Sequence, residues 1–401
     1  MAPDGTGGMD GATAEGSTTD GSSSDGNTPG VDAAKPLNCK SNETKCVAQG
    51  VCAVLTTNQD NCGACGHSCG GGMCTGGVCQ SSKIYDAPQV DGGTVKIGPL
   101  AVGHGLNFFF ATTDGDTDNR LYSCPVATGC KLPPKQLVVR QYSINAINSV
   151  NATTLTFISA PTQTTEREMI YACSPNGCPG TPISFTGDGL NGIESRLAAN
   201  GDKLFYDLGG SGPGVATCMN GACATPTSLG NGMTRGTHGF AVDTTSIYFV
   251  DSPGRGSTIA KCLQTDTTCV PTPVVTGDQS TVQSVAVYNG KLYWITPGRD
   301  SFVEGKLFSC DLPACATSKL LTGGLDLSPT NSDTIPLEEL YVDASGAYWF
   351  TKANKLQRCT LPDCTGGPHD FAGPLLQPHS LIADDSFIYW AETSAIWRLA
   401  K

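Results

Sequence analysis

Two histidines, a glutamate and a glutamine, His238, Gln283, Glu338 and His379, stand at matching places, each a fixed distance upstream of an aromatic tetrapeptide (YFVD, YWIT, YWFT and YWAE). Two imidazoles and a carboxylate are a competent ligand set for zinc or iron. The same residues also suit a solvated opening, where water satisfies polar groups at little cost. Three further copies of the pattern carry Gly98, Ala146 and Ser195 at this place, so the chemistry is confined to four neighbouring copies.

Asp114, Asp116 and Asp118 alternate in the segment DGDTDN, as calcium ligands often do. Their spacing resembles the start of an EF-hand loop but departs from it where Asn119 replaces the glycine and Pro125 the glutamate. An acidic turn accounts for the same residues. No cofactor is expected from these residues, and calcium or zinc is the alternative to test. No H-E-x-x-H or Walker sequence occurs, and five histidines leave few options for general acid-base catalysis.

The elements that must position these residues come from an internal repeat. The cores FFFA (from Phe108), TFIS (from Thr156), FYDL (from Phe205), YFVD (from Tyr248), YWIT (from Tyr293), YWFT (from Tyr348) and YWAE (from Tyr389) recur. Their intervals, on the order of 40 to 55 residues, suit one four-stranded sheet per copy. An apolar strand precedes each core across a tight turn, and a third strand follows it: RLYSC, MIYAC, GVATC, TIAKC, KLFSC, KLQRC and IWRLAK. Seven copies predict an all-β, seven-bladed β-propeller, with the four rim residues at the entrance of the innermost strands.

Each of the first six third strands ends in a cysteine that meets another a few residues on: Cys124 with Cys130, Cys173 with Cys178, Cys218 with Cys223, Cys262 with Cys269, Cys310 with Cys315, and Cys359 with Cys364. Cross-strand neighbours suit the Cα separation of a disulfide, so these pairs should clamp the outer hairpins. Each bridge closes a short loop and should contribute only about 2 kcal/mol. The seventh copy ends after its third strand, and Lys83 to Gln89 (KIYDAPQ) is placed to supply the missing fourth.

The cores YWIT, YWFT and YWAE, with Arg358 and Arg398 in the third strands, resemble the YWTD repeats of LDL-receptor-type propellers. That resemblance implies a shape and a tendency to bind, although that family has six blades and does not usually carry hairpin cysteines. Variable loops between strands two and three (Glu166, Arg167, Glu168, Arg255, Arg299, Asp300) and the insertion at residues 323–336 share the rim face and are candidates for recognition.

Upstream, residues 39–80 hold eight cysteines and almost nothing apolar to bury, so covalent staples must hold them. The stretch DNCGACGHSCGGGMCTGGVC resembles the cysteine-rich stigma-specific proteins in its NCGxCGxxC run, with a lone Cys74 where a Cys-Cys pair is usual. Eight cysteines allow on the order of a hundred pairings, which stay open, as does a zinc reading of Cys62 and Cys65. Residues 1–37 are Gly, Ser, Thr and Asp with little to bury, and read as a flexible acidic tether. The expected division is 1–37 tether, 38–80 disulfide-rich module and 81–401 propeller. The leader resembles in composition the spacer after the lipidated cysteine of bacterial outer-membrane lipoproteins, which implies a lipid anchor upstream, although that cysteine is not in the sequence given.

Composition bounds the function. The net charge of -12 repels phosphate backbones and anionic lipid, which argues against nucleic acid or a membrane surface as partner. Twenty cysteines point to an extracytoplasmic location: secreted, periplasmic or on the outer cell surface. Neither a signal segment nor an apolar run of about 18 residues occurs, so removal of an export signal is expected. The leading expectation is a noncatalytic surface binding or adhesion protein that recognises a protein or glycan through the propeller face. The competing expectation is a metal-dependent lyase, lactonase or hydrolase working in the central channel, and a third is a purely structural surface protein.

Overall fold

The computed structural model describes residues 37–401 except 91–92, 104–106, 115–117, 127–129, 131–132, 141–143, 152–153, 160–168, 175–177, 179–196, 208–214, 220–221, 230–238, 252–257, 276–281, 297–303 and 328–339. Six antiparallel sheets follow one another along the chain, over residues 96–140, 144–173, 197–229, 240–275, 284–325 and 341–372. In the seventh, His379–Ala383, Phe387–Ala391 and Ala395–Ala400 are joined by Ser82–Asp86 from the other end of the propeller. The innermost strands touch in chain order, and His379–Ala383 returns to Lys96–Val102 to complete the ring. This is the expected seven-bladed propeller, closed close to where the sequence placed it.

The aromatic cores explain why these sheets stack. Successive residues of a strand face opposite sides, so each core reaches both neighbouring blades. Tyr248 packs with Trp294 of the next blade, Tyr293 with Trp349, Tyr348 with Trp390, and Tyr389 with Phe110. Phe109 meets Phe157, and Phe205 meets Phe249, by the same rule. The first core residue of one blade thus meets the second of the following blade. Both aromatics of each Tyr-Trp pair are buried.

Strand register also corrects the first repeat. Phe108 lies opposite Cys124, as Leu155 lies opposite Cys173 and Leu292 opposite Cys310. The first core is therefore FFAT from Phe109, and three consecutive phenylalanines had concealed the shift. Gly323 and Gly324, read as the start of an insertion, belong to the outer strand Lys319–Leu325.

Disulfides clamp the outer hairpins at Cys124–Cys130, Cys173–Cys178, Cys262–Cys269, Cys310–Cys315 and Cys359–Cys364. Cys218 is disulfide-bonded as well; the side chain of Cys223 lies outside those described. The module is two small hairpins and one helical turn, Val47–Gln49. Its bridges overlap in sequence: Cys39–Cys52, Cys46–Cys65, Cys62–Cys74 and Cys69–Cys79.

Candidate functional site

Antiparallel connection gives each blade two ends. The turns between strands one and two, and between three and four, lie at one end, the turn face. The remaining loops and the entrances of the innermost strands lie at the other, the rim face.

Of the four rim residues, Gln283 and His379 are among the described residues, while His238 and Glu338 lie outside them. Gln283 is buried at 1% exposure, and its main-chain N–H donates to Ile295 at 3.0 Å. His379 has Nδ1 3.1 Å from the Gln377 carbonyl and Nε2 3.0 Å from the Ile97 carbonyl in blade one. Carbonyl oxygens only accept, so each contact is a hydrogen bond when the nitrogen concerned carries the proton. A neutral imidazole donates to only one of the two carbonyls; with its proton on Nε2, His379 stitches blade seven to blade one, and that nitrogen has no lone pair to offer a metal. The recognition candidates Glu166, Arg167, Glu168, Arg255, Arg299 and Asp300 lie outside the described residues.

The fourth core position carries a further pattern, which the rim alignment does not include. Ser159, Thr296, Thr351 and Glu392 are all buried at the rim-face end of strand two. Trp390 Nε1 donates to Glu392 Oε1 at 3.4 Å, which holds the carboxylate beside the loop that leads into strand three. The recurrence of Ser, Thr or an acid as the fourth letter of the core was the signal available.

Asp114 and Asp118 are Cα partners at the tip of a hairpin between Asn107–Asp114 and Asp118–Pro125. Asp116 lies outside the described residues. The two ends of the segment thus belong to paired strands rather than to the two helices that flank an EF-hand loop.

On the turn face a second pattern emerges that the sequence held openly, an aspartate five residues before the core tyrosine. Asp243 Oδ1 accepts from the main-chain N–H groups of Thr245 and Ser246, both at 2.7 Å, and Oδ2 accepts from the Tyr248 hydroxyl at 2.9 Å. Asp384 repeats this with Ser386, Phe387 and Tyr389 at 2.8, 2.8 and 2.6 Å. Burial works to raise the Asp243 carboxyl, but these hydrogen bonds outweigh it and hold the group below the usual carboxylate range. Asp343 accepts from the Ser345 N–H at 2.7 Å and pairs with the Lys401 ammonium. There too burial is outweighed, by Lys401 and Ser345. Burial first, and then the Asp243 carboxylate, pushes the Tyr248 phenol up to about 12.

The module also sits on the turn face, against blade seven. Cys62, Cys69, Cys74 and Cys79 share an apolar cluster with Ile388, Leu399 and Ala400. The Cys62, Cys69 and Cys79 sulfurs lie within 4.8 Å of one another, but each is a half-cystine with no thiolate to offer a metal. Cys65 is bonded to Cys46, so the zinc reading of Cys62 and Cys65 fails for the same reason. Gly66-His67-Ser68-Cys69-Gly70 has G-x-S-x-G spacing. Ser68 lies in a disulfide-tied loop with its hydroxyl 3.4 Å from Asp60, and lacks the strand-to-helix context of a nucleophile elbow.

No protein-family model matches the chain, and no curated protein sequence matches it either. Solved structures do. A prolyl endopeptidase superposes with TM-score 0.52 at 16% identity, over 75% of this chain and 47% of its own. A puromycin-hydrolysing peptidase of Mycobacterium tuberculosis gives 0.53 at 11%, over 76% and 51%. YCF48 bound to a D1 peptide gives 0.52 at 10%, over 79% and 98%. The chain spans about half the length of the two peptidases. Among the described residues no helix is long and apolar enough to cross a membrane. At these identities the likeness shows the fold alone: the chain shares its β-propeller fold with proteins that include peptidases and a peptide-bound partner.

Proposed function

We propose that the protein is an extracytoplasmic surface binding or adhesion protein that recognises a protein or glycan through the rim face. The observation that carries this reading is the seating of the module on the turn face, at the opposite end of blade seven from the described rim residues His379 and Glu392. Residues 1–37 then act as tether, 38–80 as spacer and 81–401 as the binding unit, with a lipid anchor upstream as the means of attachment. The half-cystines support an oxidising location. That YCF48, a protein of the same fold, is described bound to a peptide supports a polypeptide ligand.

The test is a protein and glycan binding screen on the full chain, followed by Arg255→Ala with Arg299→Ala on the rim face and Leu263→Ser with Val270→Ser on the turn face. Binding should fall at least tenfold in the first pair and hold in the second. Equal loss in both pairs, or loss confined to the turn face, would overturn the reading.

A further inference from the structure

Blade seven is completed by a strand from the far end of the chain. There Ser82–Asp86 pairs with Ala395–Ala400 through Ile396 opposite Tyr85, Trp397 opposite Lys83 and Arg398 opposite Ser82, with an irregularity between Ile396 and Trp397. A covalent hairpin cannot join these strands, so blade seven has no clamp comparable to Cys359–Cys364 in blade six. The seam depends on a short, bulged strand pairing unless something else supports it.

The module supplies that support. Arg398, 6% exposed, directs its guanidinium to the Gly70 carbonyl in the module and, at 3.4 Å, to the Val126 carbonyl beside the outer hairpin of blade one. The Phe387 ring lies under the guanidinium at 4.8 Å. Gly70 has φ +58, and a Cβ there would collide with the same Phe387 ring, so the module reaches the blade only with glycine at this position. His67 lies 2.6 Å from the Cys62 carbonyl and 3.0 Å from the main-chain oxygen of Lys401, at the end of the seam strand.

We infer that the cysteine module is a clasp for the ring, standing in for the hairpin disulfide that blade seven cannot have. It grips blade seven through Arg398 and Lys401, lies against the blade-one hairpin through the same arginine, and is covalently continuous with the closing strand. Its four bridges keep this short segment rigid enough to hold.

Hydrogen exchange by mass spectrometry on the full oxidised chain tests the clasp. In Gly70→Ala, amides of residues 82–86 and 395–400 should exchange at least tenfold faster, while residues 284–296 in blade five keep their protection. Uniform acceleration, or an unchanged seam with the module bridges mapped intact, overturns the inference. If Gly70→Ala scrambles the bridges, His67→Ala carries the test: selective acceleration at the seam of severalfold supports the clasp, and its absence overturns it.

Discussion

Replacing His379 with alanine separates a structural histidine from a ligand. A neutral imidazole carries a single N–H, and its two neighbours, Gln377 at 3.1 Å and Ile97 at 3.0 Å, are both carbonyl oxygens, so the substitution removes one hydrogen bond. That bond is worth roughly 0.5 to 1.5 kcal/mol net. The Ile97 carbonyl is partly buried between blades seven and one, so a bond to it sits at the high end. In a domain of this size that corresponds to a fall in Tm of about 2 to 6 °C at most. Calorimetry on wild type and His379→Ala, each with and without a chelator, reads it, and His379→Asn, which keeps one donor, should recover part of the loss. The reasoning is refuted if His379→Ala leaves Tm unchanged, or if chelator lowers the wild-type Tm and leaves the variant's alone, since the imidazole would then be holding an ion.

Removing Asp243 with alanine strands two main-chain N–H groups and the Tyr248 hydroxyl and should cost about 1 to 3 kcal/mol, read by chemical denaturation. Because the Asp243 carboxyl is held below its unfolded value, its contribution is complete above about pH 4 and is lost as pH falls through the lower folded value. Stability of the variant should therefore fall less steeply in acid than that of wild type. The Tyr248 phenol, pushed up to about 12, has the opposite sign: its contribution is complete below about pH 10 and is lost as pH rises toward 12, which absorbance titration of wild type against Tyr248→Phe would register. Replacing Cys359 and Cys364 together by serine should cost about 2 kcal/mol and speed hydrogen exchange in blade six alone; a global loss of protection would contradict independent clamps.

The repeat was legible because two signals with different physical origins coincide: aromatic pairs that must be buried between blades, and cysteines that must sit opposite each other across a hairpin. Where only one was informative, register slipped, as at Phe108, whose apolar neighbours on both sides make a one-residue shift invisible to hydrophobic pattern. Cys124 opposite Phe108 resolves it. The closing strand was found by counting what blade seven lacked, and Ser82–Asp86 lies within a residue of its expected start at Lys83. The module pairings were not legible, since near-uniform small residues between cysteines favour no partner. Nor was its docking, which turns on the space beside Gly70 and on Arg398, an arginine that sequence marks only as a third-strand letter. The rim was read as four side chains facing one opening, whereas His379 is occupied by main-chain oxygens that no side-chain pattern records.

The rule by which the first aromatic of one blade meets the second of the next makes the blade junctions that carry it head-to-tail. Heterologous contacts of this kind close into rings when the rotation sums correctly and otherwise extend without limit. A molecule opened at the seam would present Tyr389 on one free edge and Phe110 on the other, each the natural partner of the other in a second molecule. Loss of closure in this protein would therefore show itself as concatenation, with chains adding end to end at concentrations where the closed ring is monomeric.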